Sequence, residues 1–240
     1  SRNIPIGTYK KKGFLDKEEH KKYNRYIANH YTNRYHDNDS ISDAVVVLRQ
    51  ALSKQEDKST IICAIGPLNN ISDLLSSKPD EISCLTGKEL IKQKVKRLVV
   101  MGGGMRITEW NFSMCKPAAR QVANSWPTPI WYTTFEIGRS IITGVNWHDM
   151  DRSHPVRKAY ELYAPDGRMS WDLVAVWIAV MGPKPYFKLS EPGSLQVKED
   201  GFSQWYEDVN GNHRYVLQVM PDEKIAEDFD AIISRGRTKF

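Results

Sequence analysis

The chain has no run of about 18 apolar residues, which excludes a hydrophobic membrane-spanning helix. It has only three cysteines, Cys63, Cys84 and Cys115. An odd number, widely spaced, makes neither a disulfide framework nor a cysteine metal site. It leans toward a reducing compartment such as the cytoplasm, with a secreted or periplasmic setting left open. The histidines (His20, His30, His36, His148, His154, His213) form no HxxxH or HxH pattern, so metal ligation by histidine or a histidine-dependent triad has no support. GxSxG and P-loop motifs are missing, as are internal repeats and low-complexity linkers. No signal peptide is visible, and the first residue is Ser1 rather than Met, which points to a processed form or a fragment.

What is present is ample for one folded unit. The 240 residues are 40% hydrophobic, enough to bury a full core, and residues 1–240 read as a single domain. The formal charge is +5, much of it from Lys10-Lys11-Lys12, Lys17, Lys21-Lys22 and Arg25. Tyr23, Tyr26 and Tyr31 interleave with these cations, a composition that suits single-stranded nucleic acid. Asp16, Glu18 and Glu19 share the segment and no nucleic-acid motif accompanies it. It therefore reads as a solvated helix, and no nucleic-acid partner is expected.

Hydrophobic periodicity divides the chain into alternating strands and helices. Thr60 to Ile65 is a continuous apolar run closed by Gly66-Pro67, with Leu68, Ile71, Leu74 and Leu75 following at helical spacing and Pro67 suited to that helix's first turn. Val95 to Met101 and Ile130 to Thr134 read as buried strands, and Pro117 to Asn124 as a helix with Ala118 and Val122 on one face. Val45, Leu48 and Leu52 make a stripe that Ser42 or Asp43 caps. Val156, Tyr160 and Tyr163 mark another helix, and Leu173, Val176, Trp177 and Val180 a more buried one. Leu195 to Lys198 and Arg214 to Val219 alternate like antiparallel strands around Asn210-Gly211-Asn212. Asp222 to Ile233 closes as a helix. The pattern predicts an α/β fold: a mostly parallel central sheet, helices on both faces, and a small antiparallel C-terminal addition. Ligands in such sheets bind at the carboxyl ends of the strands, where Gly66 and Gly102 to Gly104 lie.

Three groups of residues bear on chemistry. Gly102-Gly103-Gly104 after a buried strand permits close approach of backbone to a ligand, or is a plain tight turn; contiguous glycines do not match GxGxxG, so a dinucleotide site is not indicated. Glu109 and Asn111, two apart, share one side of an extended backbone and suit a sugar's vicinal hydroxyls, or belong to a solvated Asx loop. In Ser170-Trp171-Asp172, Ser170 or Asp172 caps the apolar helix that follows, or Asp172 offers a carboxylate to a hard cation.

Five segments, in order, resemble the inosine–uridine-preferring nucleoside hydrolase family. They are AIGPLNNISDLL (Ala64 to Leu75), VKRLVVMGGG (Val95 to Gly104), EWNFSMCKPAARQV (Glu109 to Val122), WPTPIWYTTFEIG (Trp126 to Gly138) and DGRMSWDLVAVWIAV (Asp166 to Val180). The last fits a branch in which Ser-Trp-Asp replaces His-Asp-Pro. The resemblance is good over roughly residues 40 to 182 and looser at the ends.

The resemblance implies hydrolysis of a ribonucleoside's N-glycosidic bond, a bound Ca²⁺ that grips a water and the ribose 2′ and 3′ hydroxyls, and a nucleoside or ribose as ligand. It makes the Ile65 carbonyl and the Asp172 carboxylate metal ligands. It gives Glu109 and Asn111 the ribose hydroxyls, Met101 the ribose face, and Trp171 a place beside the base. It also implies a homo-oligomer.

The family's N-terminal D-x-D-x-x-x-D-D turn, which supplies the other metal carboxylates and the base, has no equivalent. Asp37-Asn38-Asp39 follows no apolar strand and is rejected as one. Asn3 to Gly7 resembles sequence normally well inside the chain, so the expectation is an N-terminally incomplete copy with impaired hydrolysis, or a catalytically inactive ribose-binding module. Trp171 stands where a histidine would protonate the leaving base; it can stack but cannot act as a general acid. Cys115 stands where an aspartate is usual, and the loop before Glu109 is shortened.

Overall fold

The run Thr60–Ala64 lies at one edge of an eight-stranded sheet, and Val95–Met101 pairs with it in parallel. The computed structural model describes residues 4–11, 22–32, 35, 39–145 and 150–235. Asn3, Lys12, Asp16, Lys17, Glu18, Glu19, His20, Lys21, His36, Asp37, Asn38 and His148 lie outside the described residues.

In chain order the first elements are β1 (Gly7–Thr8), α1 (Lys22–His30), β2 (Ser42–Asp43), α2 (Ala44–Ser53), β3 (Thr60–Ala64), α3 (Asn69–Ser76), α4 (Gly87–Lys94) and β4 (Val95–Met101). Then come β5 (Arg106–Thr108), α5 (Trp110–Met114), α6 (Lys116–Ser125), β6 (Ile130–Thr133), β7 (Ile142–Thr143), α7 (Pro155–Tyr163), β8 (Arg168–Met169) and α8 (Trp171–Met181). The last are β9 (Phe187–Leu189), β10 (Gly193–Val197), β11 (Phe202–Glu207), β12 (His213–Gln218) and α9 (Asp222–Arg235).

The α/β architecture holds, with helices on both faces. Strands β3, β4, β6 and β12 run parallel, and β10, β11 and β5 continue the same sheet antiparallel. Because side chains alternate along a strand, β4 feeds both faces. Leu98 and Val100 join a core with Leu74, Leu90, Ala119 and Val122, while Val99 and Met101 face Val174, Ala175 and Ile178 of α8. Asp43 caps α2 by accepting the Val45 N–H at 2.7 Å.

Four details depart from the sequence reading. Pro67 sits just before the N-cap residue Leu68, not within the first turn of α3. The buried face of α8 is Val174, Ala175 and Ile178, whereas Val176 and Val180 are exposed. The helix is apolar nearly all round, so periodicity could not choose its inner side. The strands expected at Leu195 to Lys198 and Arg214 to Val219 are antiparallel, meeting at Gly193 and His213, but an unexpected strand, β11, lies between them in sequence. β10 pairs along its length with β11, and the Asn-Gly-Asn turn leads on to β12, which runs parallel to β6. Finally, Tyr23 and Tyr26 of the basic segment are engaged with protein. Tyr23 packs against Tyr163 of α7 at 5.4 Å between ring centroids, and Tyr26 stacks on His30 at 3.9 Å with Lys158 over its ring.

Among the described residues, no helix is long and apolar enough to cross a membrane.

Candidate functional site

The carboxyl ends of β3, β4 and β6 open on a cavity of about 560 Å³, a size typical of small-molecule sites. Ile65, Met101, Glu109, Asn111, Trp171 and Asp172 all line it. Residues that lie 107 positions apart in sequence are thus brought together by the parallel sheet and by the start of α8.

Each side chain is placed by local structure. Ile65 follows directly on β3. Met101 ends β4 with its side chain on the α8 face. Glu109 and Asn111 do not share an extended segment. Glu109 is the N-cap of α5 and Asn111 lies in its first turn. The Glu109 carboxylate is buried and accepts N–H groups from Asn111 at 2.8 Å, Gly103 at 3.1 Å and Phe112 at 3.2 Å. The Asn111 amide donates to the Met101 carbonyl at 3.1 Å, which aims its carbonyl oxygen away from that strand end.

The three glycines do not line the cavity. They are buried behind it, where a Cβ on Gly102 would stand 2.4 Å from the Phe112 ring. Gly103 has a φ of 68°, which favours glycine, and the Gly104 N–H is held by the Ser203 hydroxyl at 2.9 Å. The close approach that the glycines permit is to Phe112, and the cavity floor is Met101.

Four further residues complete the walls: Trp110, Phe135, Tyr163 and Arg168. Sequence reasoning gave none of them a part in the site, since single aromatics and one arginine carry no spacing signal. Trp171 stacks on Phe135 at 5.5 Å, donates its N–H to the Phe135 carbonyl at 2.8 Å, and has the Arg168 guanidinium over its ring. A second hollow of about 330 Å³ adjoins the cavity and shares Tyr163, Arg168, Trp171 and Asp172.

Cys115, inside the same layer, accepts the Leu68 N–H and donates to the Asn111 carbonyl at 3.1 Å, so it ties the Gly66-Pro67 turn to α5.

Electrostatics set the carboxylates apart from ordinary surface acids. Desolvation raises the Glu109 pKa, its three N–H partners pull it back, and the charge of Asp172 adds a smaller push upward. Asp172 is reached by the water of the cavity, but the surrounding walls desolvate it and raise its pKa, with Arg168 acting in the opposite direction. Its carboxylate accepts no hydrogen bond among the described residues. The Cys63 thiol, on the same face of β3, is pushed up to about 11 by burial and by Asp172, so it is no thiolate near neutral pH.

Asp172 and the Ile65 carbonyl are hard oxygen donors of the kind calcium takes, but calcium needs six to eight. Among the described residues no group of three or more His, Cys, Asp or Glu side chains could hold a metal ion. The described residues therefore do not by themselves make a calcium site.

The structure is similar to that of the inosine-uridine preferring nucleoside hydrolase from Bacillus anthracis, with a TM-score of 0.59 at 18% identity, over 81% of this chain and 66% of that one. A plant nucleoside hydrolase gives 0.64 at 17%, over 88% and 72%. An inosine-guanosine nucleoside hydrolase gives 0.58 at 15%, over 81% and 68%. The chain thus spans about two thirds of the length of these structures, and at such identities they establish the fold. No curated protein matches in sequence. The family model for inosine-uridine preferring nucleoside hydrolases matches residues 7–225. With that match across most of its length, the chain belongs to the inosine-uridine preferring nucleoside hydrolase family.

Proposed function

We propose that the 560 Å³ cavity binds a ribonucleoside through its ribose, and that hydrolysis of the N-glycosidic bond by this chain is impaired. The observation that carries the reading is the convergence of Ile65, Met101, Glu109, Asn111, Trp171 and Asp172 on one cavity at the strand ends. Asn111 offers an acceptor and Asp172 a carboxylate with unfilled lone pairs to vicinal hydroxyls. Glu109 has a different part. Three N–H groups already occupy its carboxylate, so it shapes the rim and has capacity for one further donor at most. Met101 gives the sugar an apolar face.

The impairment follows from two features. Trp171 has no proton to exchange with a leaving base near neutral pH, and its N–H is engaged by Phe135. The residues lining the cavity supply one carboxylate that accepts no hydrogen bond among the described residues, Asp172, so Ca²⁺ is expected to bind weakly and no catalytic step is assigned to it. A second reading is a ribose-binding module without catalysis, favoured by the same unpartnered Asp172.

The test is release of hypoxanthine from inosine and of uracil from uridine, with and without Ca²⁺. Slow or undetectable release, with inosine still bound, fits the proposal. Robust metal-dependent turnover would overturn the claim of impairment.

A further inference from the structure

The cavity contains a cation whose hydrogen-bond donors ribose binding leaves without a task. Arg168 lines both the 560 Å³ cavity and the 330 Å³ hollow beside it. Its guanidinium carbon lies 5.4 Å from the centroid of Trp171 and 5.2 Å from that of Tyr163. It forms no ion pair among the described residues. The contact its N–H groups do make is a long one, 3.8 Å to the Met169 sulfur. Arginine carries five donors and no acceptor, and it does not lose its proton. Among the described residues, this guanidinium sits over two rings, is unpaired with a carboxylate, and faces a cavity with most of those donors unused.

Its neighbours cannot do the same work. The indole N–H of Trp171 is spent on the Phe135 carbonyl, and that ring is already stacked on Phe135. Tyr163 offers a single hydroxyl, whereas the guanidinium offers a planar set of donors. A planar, rigid fork of donors matches two adjacent acceptors on a planar ring. Arginine meets the O6 and N7 of a 6-oxopurine in this way, whereas a 6-aminopurine sets an N–H₂ donor against it.

We infer that Arg168 is the specificity-determining residue for the base: it grips the O6/N7 edge of a 6-oxopurine and rejects 6-aminopurines. The inference rests on the nucleoside reading of the cavity and adds the base-contacting residue to it. Tyr163 and Trp171 hold the guanidinium's stem and plane, so the fork is positioned before a ligand enters.

The experiment titrates ribose, hypoxanthine and adenine separately into the full chain and into Arg168→Met, Arg168→Lys and Arg168→Gln, with thermal unfolding to show that each is folded. The wild type is expected to prefer hypoxanthine to adenine by roughly 10-fold or more. Arg168→Met brings that ratio close to one. Arg168→Lys, a single-point donor, restores only part of the preference. Should Arg168→Met fail to fold, Arg168→Gln carries the comparison. Ribose binding with an unaltered hypoxanthine-to-adenine ratio in the folded variants, or with no such preference in the wild type, overturns the inference alone. Failure of ribose to bind the wild type overturns the nucleoside reading and the inference with it.

Discussion

Replacing Glu109 by alanine separates its two possible parts, as a rim for sugar hydroxyls and as a support of the loop. The carboxylate accepts three N–H groups, from Gly103, Asn111 and Phe112. Loss of an N-cap acceptor costs about 1 kcal/mol. The Gly103 N–H, buried behind Phe112, then lacks a partner, which adds about 1–3 kcal/mol. Removing a desolvated carboxylate, whose pKa burial has raised, returns part of this. The net expected loss is about 2–3 kcal/mol. For a chain of this length that lowers the Tm by roughly 4–12 °C. Circular dichroism melts of Glu109→Ala and wild type, with urea midpoints as a second measure, read it directly. A Tm within a degree of wild type would refute the assignment, because it would show that the glycine turn and α5 stand without the carboxylate.

Three other perturbations have definite signs. Gly102→Ala places a methyl group 2.4 Å from the fully buried Phe112 ring and is expected to cost about 1–3 kcal/mol, visible as a lower urea midpoint. Arg49, 1% exposed, holds Asp80 through two N–H contacts at 2.7 and 2.8 Å and also donates to the Ser83 and Leu85 carbonyls. Arg49→Met leaves those carbonyls without their donor and should cost about 2–4 kcal/mol, checked by the same unfolding curves. Asp172 has a folded pKa above its unfolded value, so the folded chain holds that proton more tightly. Its contribution to stability is therefore greatest at low pH and declines as pH rises from the ordinary carboxylate range through the raised value. Asp172→Asn should accordingly melt higher than wild type near pH 7, with the gap closing toward about pH 3; a lower Tm for the variant at neutral pH would contradict this.

Legibility from sequence varied with the kind of signal. β4 and α6 were readable because the short apolar run of residues 98–101 marks a buried strand and the Ala118/Val122 stripe matches the helical period. The Asp43 cap was readable from residue type alone. The inner face of α8 was not, since Leu173, Val176, Trp177 and Val180 are as apolar as the buried Val174, Ala175 and Ile178. β11 was missed because FSQWYE alternates only partly, and its place depends on pairing with β10 and β5. For the site, motif order brought out six residues that meet at one cavity, but it could not show that Glu109 is consumed as a helix cap. Nor could it reach Phe135, Trp110, Tyr163 or Arg168, whose presence in the walls depends on tertiary packing.

The measurement that bears most directly on the central claim is a calorimetric titration of inosine into the wild-type chain and into Asn111→Ala and Asp172→Ala. A nucleoside site predicts saturable binding to wild type, weakened at least several-fold by each substitution in a folded protein. No heat with wild type, or equal affinity in all three proteins, would contradict the claim that this cavity holds a ribonucleoside.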